Sequence, residues 1–175
     1  LSGSITLKSN VELHFEADGC LLGSSDCNDF PEKTHLVHIE SYNLPRHRNA
    51  CLIFAERCEN ISITGMGVID CNGDSFVEKK GEDWTGWEYK RLELPTPPRV
   101  VFFTGCKNVR IENITMQNQP SGWSYWIHDC DFVSFDKCKI LANVQYPNND
   151  GIHINSSRNV TISNCDINCG DDCII

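Results

Sequence analysis

No apolar run in this chain approaches the 18 or more residues of a membrane-spanning helix, so no membrane partner is expected. No cluster of Lys and Arg is present either. The chain carries 15 basic against 24 acidic residues, a net charge of -9, which argues against nucleic acid as a partner. Helical periodicity is missing: the apolar runs are only a few residues long, and Gly, Asn, Asp and Pro separate them. CxxC-like pairs are absent despite eleven cysteines, so a zinc site has little support. The chain opens on Leu1 and shows no signal peptide. The compartment is left open between cytoplasmic and secreted bacterial.

What is present is a repeat. An apolar run is followed, eight residues later, by a second one. Ile152-His153-Ile154 leads to Val160-Thr161-Ile162, then Cys165 and Ile167. Tyr125-Trp126-Ile127 leads to Val133-Ser134-Phe135, then Cys138 and Ile140. Val101-Phe102-Phe103 leads to Val109-Arg110-Ile111, then Ile114 and Met116. Ile53-Phe54 leads to Ile61-Ser62-Ile63, then Met66 and Val68. An early copy around Asn10 to Phe15 fits less completely. The V-x-I alternation is strand-like. Steps of 24 residues (109 to 133) and 27 (133 to 160) suit the coil of a parallel β-solenoid. A propeller blade needs about 40 residues, and the Leu-x-x-Leu-x-Leu signature of leucine-rich repeats is absent.

The expected architecture is thus all-β, a parallel β-helix forming one domain over residues 1–175. Insertions near 28–50 and 72–99 read as projecting loops. Equivalent residues should stack in ladders, Val109, Val133 and Val160 in one and Ile111, Phe135 and Ile162 in another. Each rung contributes on the order of 1.5–3 kcal/mol. The outer face of one sheet is expected to lie open to a long, flat ligand. Cys58, Cys106 and Cys130 share one repeat position, and Cys138 and Cys165 another, so these five read as stacked free thiols in the core. That usage fits a reducing compartment or an anaerobic host. Asn60, Asn113, Asn155 and Asn159 open N-x-S/T sequences, but stacked corner asparagines explain them better than glycosylation. His35-Leu36-Val37-His38 lacks further metal ligands.

Two motifs sit in repeat register. Alignment through Ile152 and Ile174 matches Asp150 to Asp172, 22 residues and one coil apart. Adjacent parallel strands lie about 4.8 Å apart, so Asp150, Asp171 and Asp172 form a candidate acid/base cluster. Like charges this close raise at least one pKa. Strict alternation would point Asp150 inward with Ile152, at high cost for a carboxylate. A turn there, with Gly151 allowing the bend, is therefore expected. Candidate substrate contacts are Trp126 and His153, both outward by alternation, with Asn149 beside Asp150. Arg99 takes the place before Val101 that Asp150 takes before Ile152. It could meet an anionic ligand, although a solvated surface arginine is the plainer reading.

These motifs, with the repeat, resemble the polygalacturonase family, glycoside hydrolase family 28. Asn148-Asn149-Asp150 stands where the family has Asn-Thr-Asp, with Asn149 replacing Thr. Gly170-Asp171-Asp172-Cys173-Ile174 matches its Gly-Asp-Asp motif. Leu7-Lys8-Ser9-Asn10-Val11, Leu21-Leu22-Gly23-Ser24 and Gly67-Val68-Ile69-Asp70 also look like the family. The resemblance implies a right-handed parallel β-helix that hydrolyses pectic polysaccharide with inversion, acting as a monomer on a polymer or an oligogalacturonide, with no cofactor and no metal. It implies Asp171 as general acid, with Asp150 and Asp172 holding and deprotonating the attacking water. The family's Gly-His-Gly and Arg-Ile-Lys motifs are not found before Ile175. The chain is accordingly expected to be the N-terminal to central part of a longer enzyme, and inactive alone. A β-helix lyase using Ca²⁺ and a non-catalytic sugar-binding solenoid remain as alternatives.

Overall fold

A computed structural model describes residues 1–33, 50–81, 86, 88–92, 97 and 99–175. The chain winds through three parallel sheets, one short strand per sheet per coil. The first holds β1 (Ile5–Thr6), β4 (Cys51–Glu56), β9 (Arg99–Thr104), β12 (Trp123–His128) and β15 (Ile152–Asn155). The second holds β2 (Glu12–Phe15), β5 (Glu59–Gly65), β10 (Lys107–Glu112), β13 (Asp131–Asp136) and β16 (Arg158–Ser163). The third holds β3 (Cys20–Leu22), β6 (Val68–Asp70), β11 (Thr115–Gln117), β14 (Lys139–Leu141) and β17 (Asp166–Asn168). Between β6 and β9 an antiparallel hairpin forms from β7 (Val77–Lys79) and β8 (Tyr89–Arg91).

The ladders form in the register that the spacing predicts. Ile53 pairs with Val101, Val101 with Tyr125 and Tyr125 with Ile152. In the second sheet Ile61, Val109, Val133 and Val160 align, as do Ile63, Ile111, Phe135 and Ile162. These residues face inward into one apolar core. The long steps from 11 to 61 and from 61 to 109 are single coils, because β2 pairs directly with β5 and β5 with β10.

One slot is corrected. Met66 and Val68 do not occupy the third-sheet position of their coil. Ile69 does, aligned with Leu21, Met116, Ile140 and Ile167, while Met66 is exposed. This coil carries one extra residue after Ile63. Gly65 absorbs it at φ 113°, where a Cβ would lie 1.9 Å from the Phe15 carbonyl oxygen.

The corners use asparagine in the left-handed region, which it tolerates better than most residues. Asn10, Asn60, Asn108 and Asn159 have φ between 54° and 62°. Asn108 Nδ2 donates to Asn60 Oδ1, and Asn60 Nδ2 to Asn10 Oδ1, both at 2.9 Å. The cysteines are free thiols. Cys58, Cys106, Cys130 and Cys138 are buried, and Cys165 is half-buried. They also donate weakly: Cys130 Sγ reaches the His128 and Phe103 carbonyls at 3.2 and 3.6 Å. One coil on, Ser157 Oγ makes the same two contacts, to Asn155 and Ile127. The slot therefore asks for a small side chain able to cap two corner carbonyls.

Most of the first insertion, with His35 and His38, lies outside the described residues, as do Trp84, Trp87, Pro95 and Pro98 of the second.

Candidate active site

The carboxylates sit on the outer side of the first sheet, and a break in alternation puts them there. In β4 and β9 two successive residues face the core, Leu52 with Ile53 and Val100 with Val101. The residue before each pair therefore points outward, as does the residue after it. Two outward columns result. One runs Cys51, Arg99, Trp123, and the backbone ladder carries it on to Asp150 and Asp172. Ser124 N–H donates to the Asp150 carbonyl at 2.9 Å, and Gly151 N–H to the Asp172 carbonyl at 2.9 Å. The second column runs Phe54, Phe102, Trp126, His153.

This arrangement resolves the difficulty at Asp150. The residue lies before β15, in a turn entered through Asn148 at φ 53°, and its side chain leaves the core side. Ile152 bridges Ile174 in parallel, which puts Asp150 and Asp172 on successive coils at equivalent places. Gly151 is needed for close approach: a Cβ there would lie 2.3 Å from the Cys173 carbonyl oxygen.

Asp150 is buried and Asp171 and Asp172 are exposed. Asp150 Oδ2 lies 2.9 Å from His153 Nε2, and its Oδ1 has no hydrogen-bond partner among the described residues. Partial desolvation pushes the Asp171 carboxyl above its ordinary value, and the negative charges of Asp150 and Asp172 add to that rise.

The expected substrate contacts are placed differently. Trp126 does face outward, but it is only 2 % exposed and stacks on Phe102 at 4.1 Å. His153 is outward and beside Asp150, yet only 4 % exposed, its ring 3.6 Å from Trp123 and 12° from parallel. Arg99 is not a solvated surface residue. It is 1 % exposed, with its guanidinium 4.1 Å from the Trp123 ring centroid and 4.8 Å from that of Trp126. Asn149 is fully buried and donates from Nδ2 to the Asn143 carbonyl. The first sheet's outer wall is therefore not bare. Cys51, Phe54, Phe102, Trp123 and Trp126 form a second apolar cluster on it, because flat aromatic rings stack from coil to coil as the inner residues do.

A brace that the repeat does not reveal supports the site. The β7–β8 hairpin reaches the turn that carries Asp150. Arg91 Nε donates to the Ser121 carbonyl at 2.7 Å, and Nη2 to Asn148 Oδ1 at 3.1 Å. Tyr89 packs edge-on against Tyr146, whose hydroxyl bonds Asp74. Beneath Asp150, Gln119 Nε2 donates to Ser124 Oγ, which donates to the Asp150 carbonyl at 2.8 Å.

A chain coiled through three stacked parallel sheets defines a parallel β-helix protein. The family model for glycosyl hydrolases family 28 matches residues 25–175, and the chain belongs to that family. Among curated relatives, it is 31% identical over 179 residues to a probable polygalacturonase of Vitis vinifera, an alignment covering 99% of this chain and 34% of that protein. It is 29% identical over 170 residues to a probable endo-xylogalacturonan hydrolase A of Aspergillus fumigatus, covering 95% and 36%. Among solved structures, the polygalacturonase from Erwinia carotovora ssp. carotovora matches with TM-score 0.74 at 25% identity, covering 99% of this chain and 46% of that one. The family 28 exopolygalacturonase of Yersinia enterocolitica matches with TM-score 0.74 at 22% identity, covering 99% and 36%. The fold is a right-handed parallel β-helix. The chain spans about a third or less of the length of the first curated relatives it matches.

Proposed function

We propose that this chain carries the acid/base carboxylates of an enzyme that hydrolyses glycosidic bonds in pectic polysaccharide with inversion. Asp171 is the general acid that protonates the glycosidic oxygen. Asp150 and Asp172 hold the water and take its proton. The observation that carries the reading is the Ile152–Ile174 bridge with the Gly151-to-Asp172 hydrogen bond. It stacks one acidic turn on the other, while Asp171, one residue out of step, is free to point elsewhere. Inversion needs acid and base about 6.5–9.5 Å apart, with the water between them. A carboxyl whose pKa is raised by desolvation and two like charges stays protonated longer as pH rises, which an acid catalyst requires. Family membership and relatives named as a probable polygalacturonase and a probable endo-xylogalacturonan hydrolase support the substrate class.

The test is reducing-sugar release from polygalacturonate by the intact protein and by Asp171→Asn, with the anomer of the first product read by NMR. The variant should lose at least about a hundredfold in kcat, and the product should appear inverted. Near-normal turnover in Asp171→Asn would remove that residue from the acid role. An unsaturated, Ca²⁺-dependent product would replace hydrolysis with elimination.

A further inference from the structure

We infer that His153 is a positioning residue for Asp150: its ring nitrogen holds one carboxylate oxygen and so fixes the orientation of the carboxylate in its turn. The inference rests on the reading of Asp150 as a water-holding carboxylate. Its own basis is geometric. A carboxylate turns easily about its last torsion, which has a broad, two-fold profile. Here that rotation is stopped, because Nε2 of His153 lies 2.9 Å from Oδ2 and both side chains are about 5 % exposed (6% and 5%). Oδ1 is itself buried and makes no hydrogen bond among the described residues. With the carboxylate ionised, Oδ2 is an acceptor, so Nε2 carries the proton.

The imidazole is fixed in turn. Its ring stacks on Trp123 at 3.6 Å and 12°. Trp123 is held edge-on by Trp126, with centroids 5.6 Å apart, and has the Arg99 guanidinium over its ring. The plane of the histidine is therefore set by two strands of the sheet, β9 and β12, and not by the turn that holds Asp150. A group needed only to fill this slot would be apolar, since burying an imidazole beside a carboxylate is costly unless the bond is used. Exposure of 4 % also separates this role from direct contact with sugar. Among the described residues, the charged and titratable groups around the pair are Asp171 and Cys169 from the next coil, Asp172 stacked on Asp150, and Arg99 behind Trp123.

Two measurements decide it. In the first, kcat and KM on polygalacturonate are compared for the intact protein, His153→Phe, His153→Gln and His153→Asn. Phe keeps the stack on Trp123 and removes the donor. Gln places an amide N–H near the Nε2 position, whereas Asn donates from a shorter reach. Loss of alignment at a reacting group costs up to about a hundredfold. Phe and Asn should therefore lower kcat about 10- to 100-fold with KM within about twofold, and Gln should restore most of that loss. Wild-type kcat in Phe, or Gln no better than Asn when both fold with unchanged thermal midpoints, overturns the role. Should Phe fail to fold, the Gln and Asn pair carries the comparison.

In the second measurement, ¹⁵N-labelled histidine is read by NMR. An exchange-protected Nε2 proton on His153 that disappears in Asp150→Ala supports the bond, and an unprotected one overturns it. A protected proton in a wild-type protein that releases no sugar from any pectic polymer overturns the hydrolase reading while leaving the bond supported.

Discussion

Asp171 shows how much one side chain draws from its surroundings. Its carboxyl is raised above the ordinary 3.8 first by desolvation and then by Asp150 and Asp172. Two consequences follow with opposite practical senses. The alkaline limb of kcat, if Asp171 is the acid, lies above the pH at which an ordinary carboxyl would impose it. Stability moves the other way. The ionised form is disfavoured in the fold, so the contribution of Asp171 is fully present below the unfolded pKa and is lost as pH rises through the folded pKa. Asp131 and Asp136 behave oppositely. Hydrogen bonds from Asn159 and from Asn164 and Ser163 lower their values, so their stabilisation is present above the unfolded pKa and lost as pH falls through the folded one. Thermal midpoints of Asp171→Asn and the parent, taken from acid to neutral pH, should therefore converge in acid and separate towards neutrality, with the variant higher. The stacking of Asp150 on Asp172 was legible in the sequence, since repeat register alone sets one above the other. The burial of Trp126, Arg99 and His153 was not, because exposure depends on what covers an outward column and not on which way the column points.

At the scale of elements, the inward ladders were readable because every inward residue rests on its equivalent one coil below, which forces like beside like. Two features escaped that logic. Adjacent inward residues such as Val100 and Val101 break the period of two, and this break is what turns the Asp150 column outward. The β7–β8 hairpin lies in an insertion with no repeat to be read from, yet it fastens the turn that carries Asp150. Arg91 bonds Ser121 before β12 and Asn148 before β15, tying the turns of two successive coils, and charge-assisted hydrogen bonds of this kind contribute about 1.5–3 kcal/mol each. Arg91→Ala should lower the thermal midpoint by several degrees. It should also cut kcat about tenfold or more by letting Asn148 to Asp150 drift. A variant that loses stability with kcat intact would show that the hairpin braces the fold and leaves the turn in place.

At the scale of the whole molecule, the charge of the chain and that of the proposed substrate are of the same sign. The chain carries -9, and pectic polysaccharide rich in uronic acid is a polyanion. The two arginines of the second sheet face carboxylates: Arg110 pairs with Glu12 and Glu112, and Arg158 with Asp131. Arg99, the cation nearest the acidic turns along the ladder, is buried behind Trp123. The approaching polymer therefore meets Asp171 and Asp172 before it meets any positive charge of the first sheet among the described residues. Such repulsion is long-ranged at low salt and shrinks as the Debye length falls from about 30 Å at 0.01 M to about 10 Å at 0.1 M. It acts on encounter and leaves the bound complex little changed. For the intact protein, kcat/KM on long polygalacturonate should rise several-fold between those two salt concentrations, with kcat nearly constant. A kcat/KM that falls with salt would mean that a basic surface elsewhere in the protein steers the polymer, outweighing the acidic wall described by these coils.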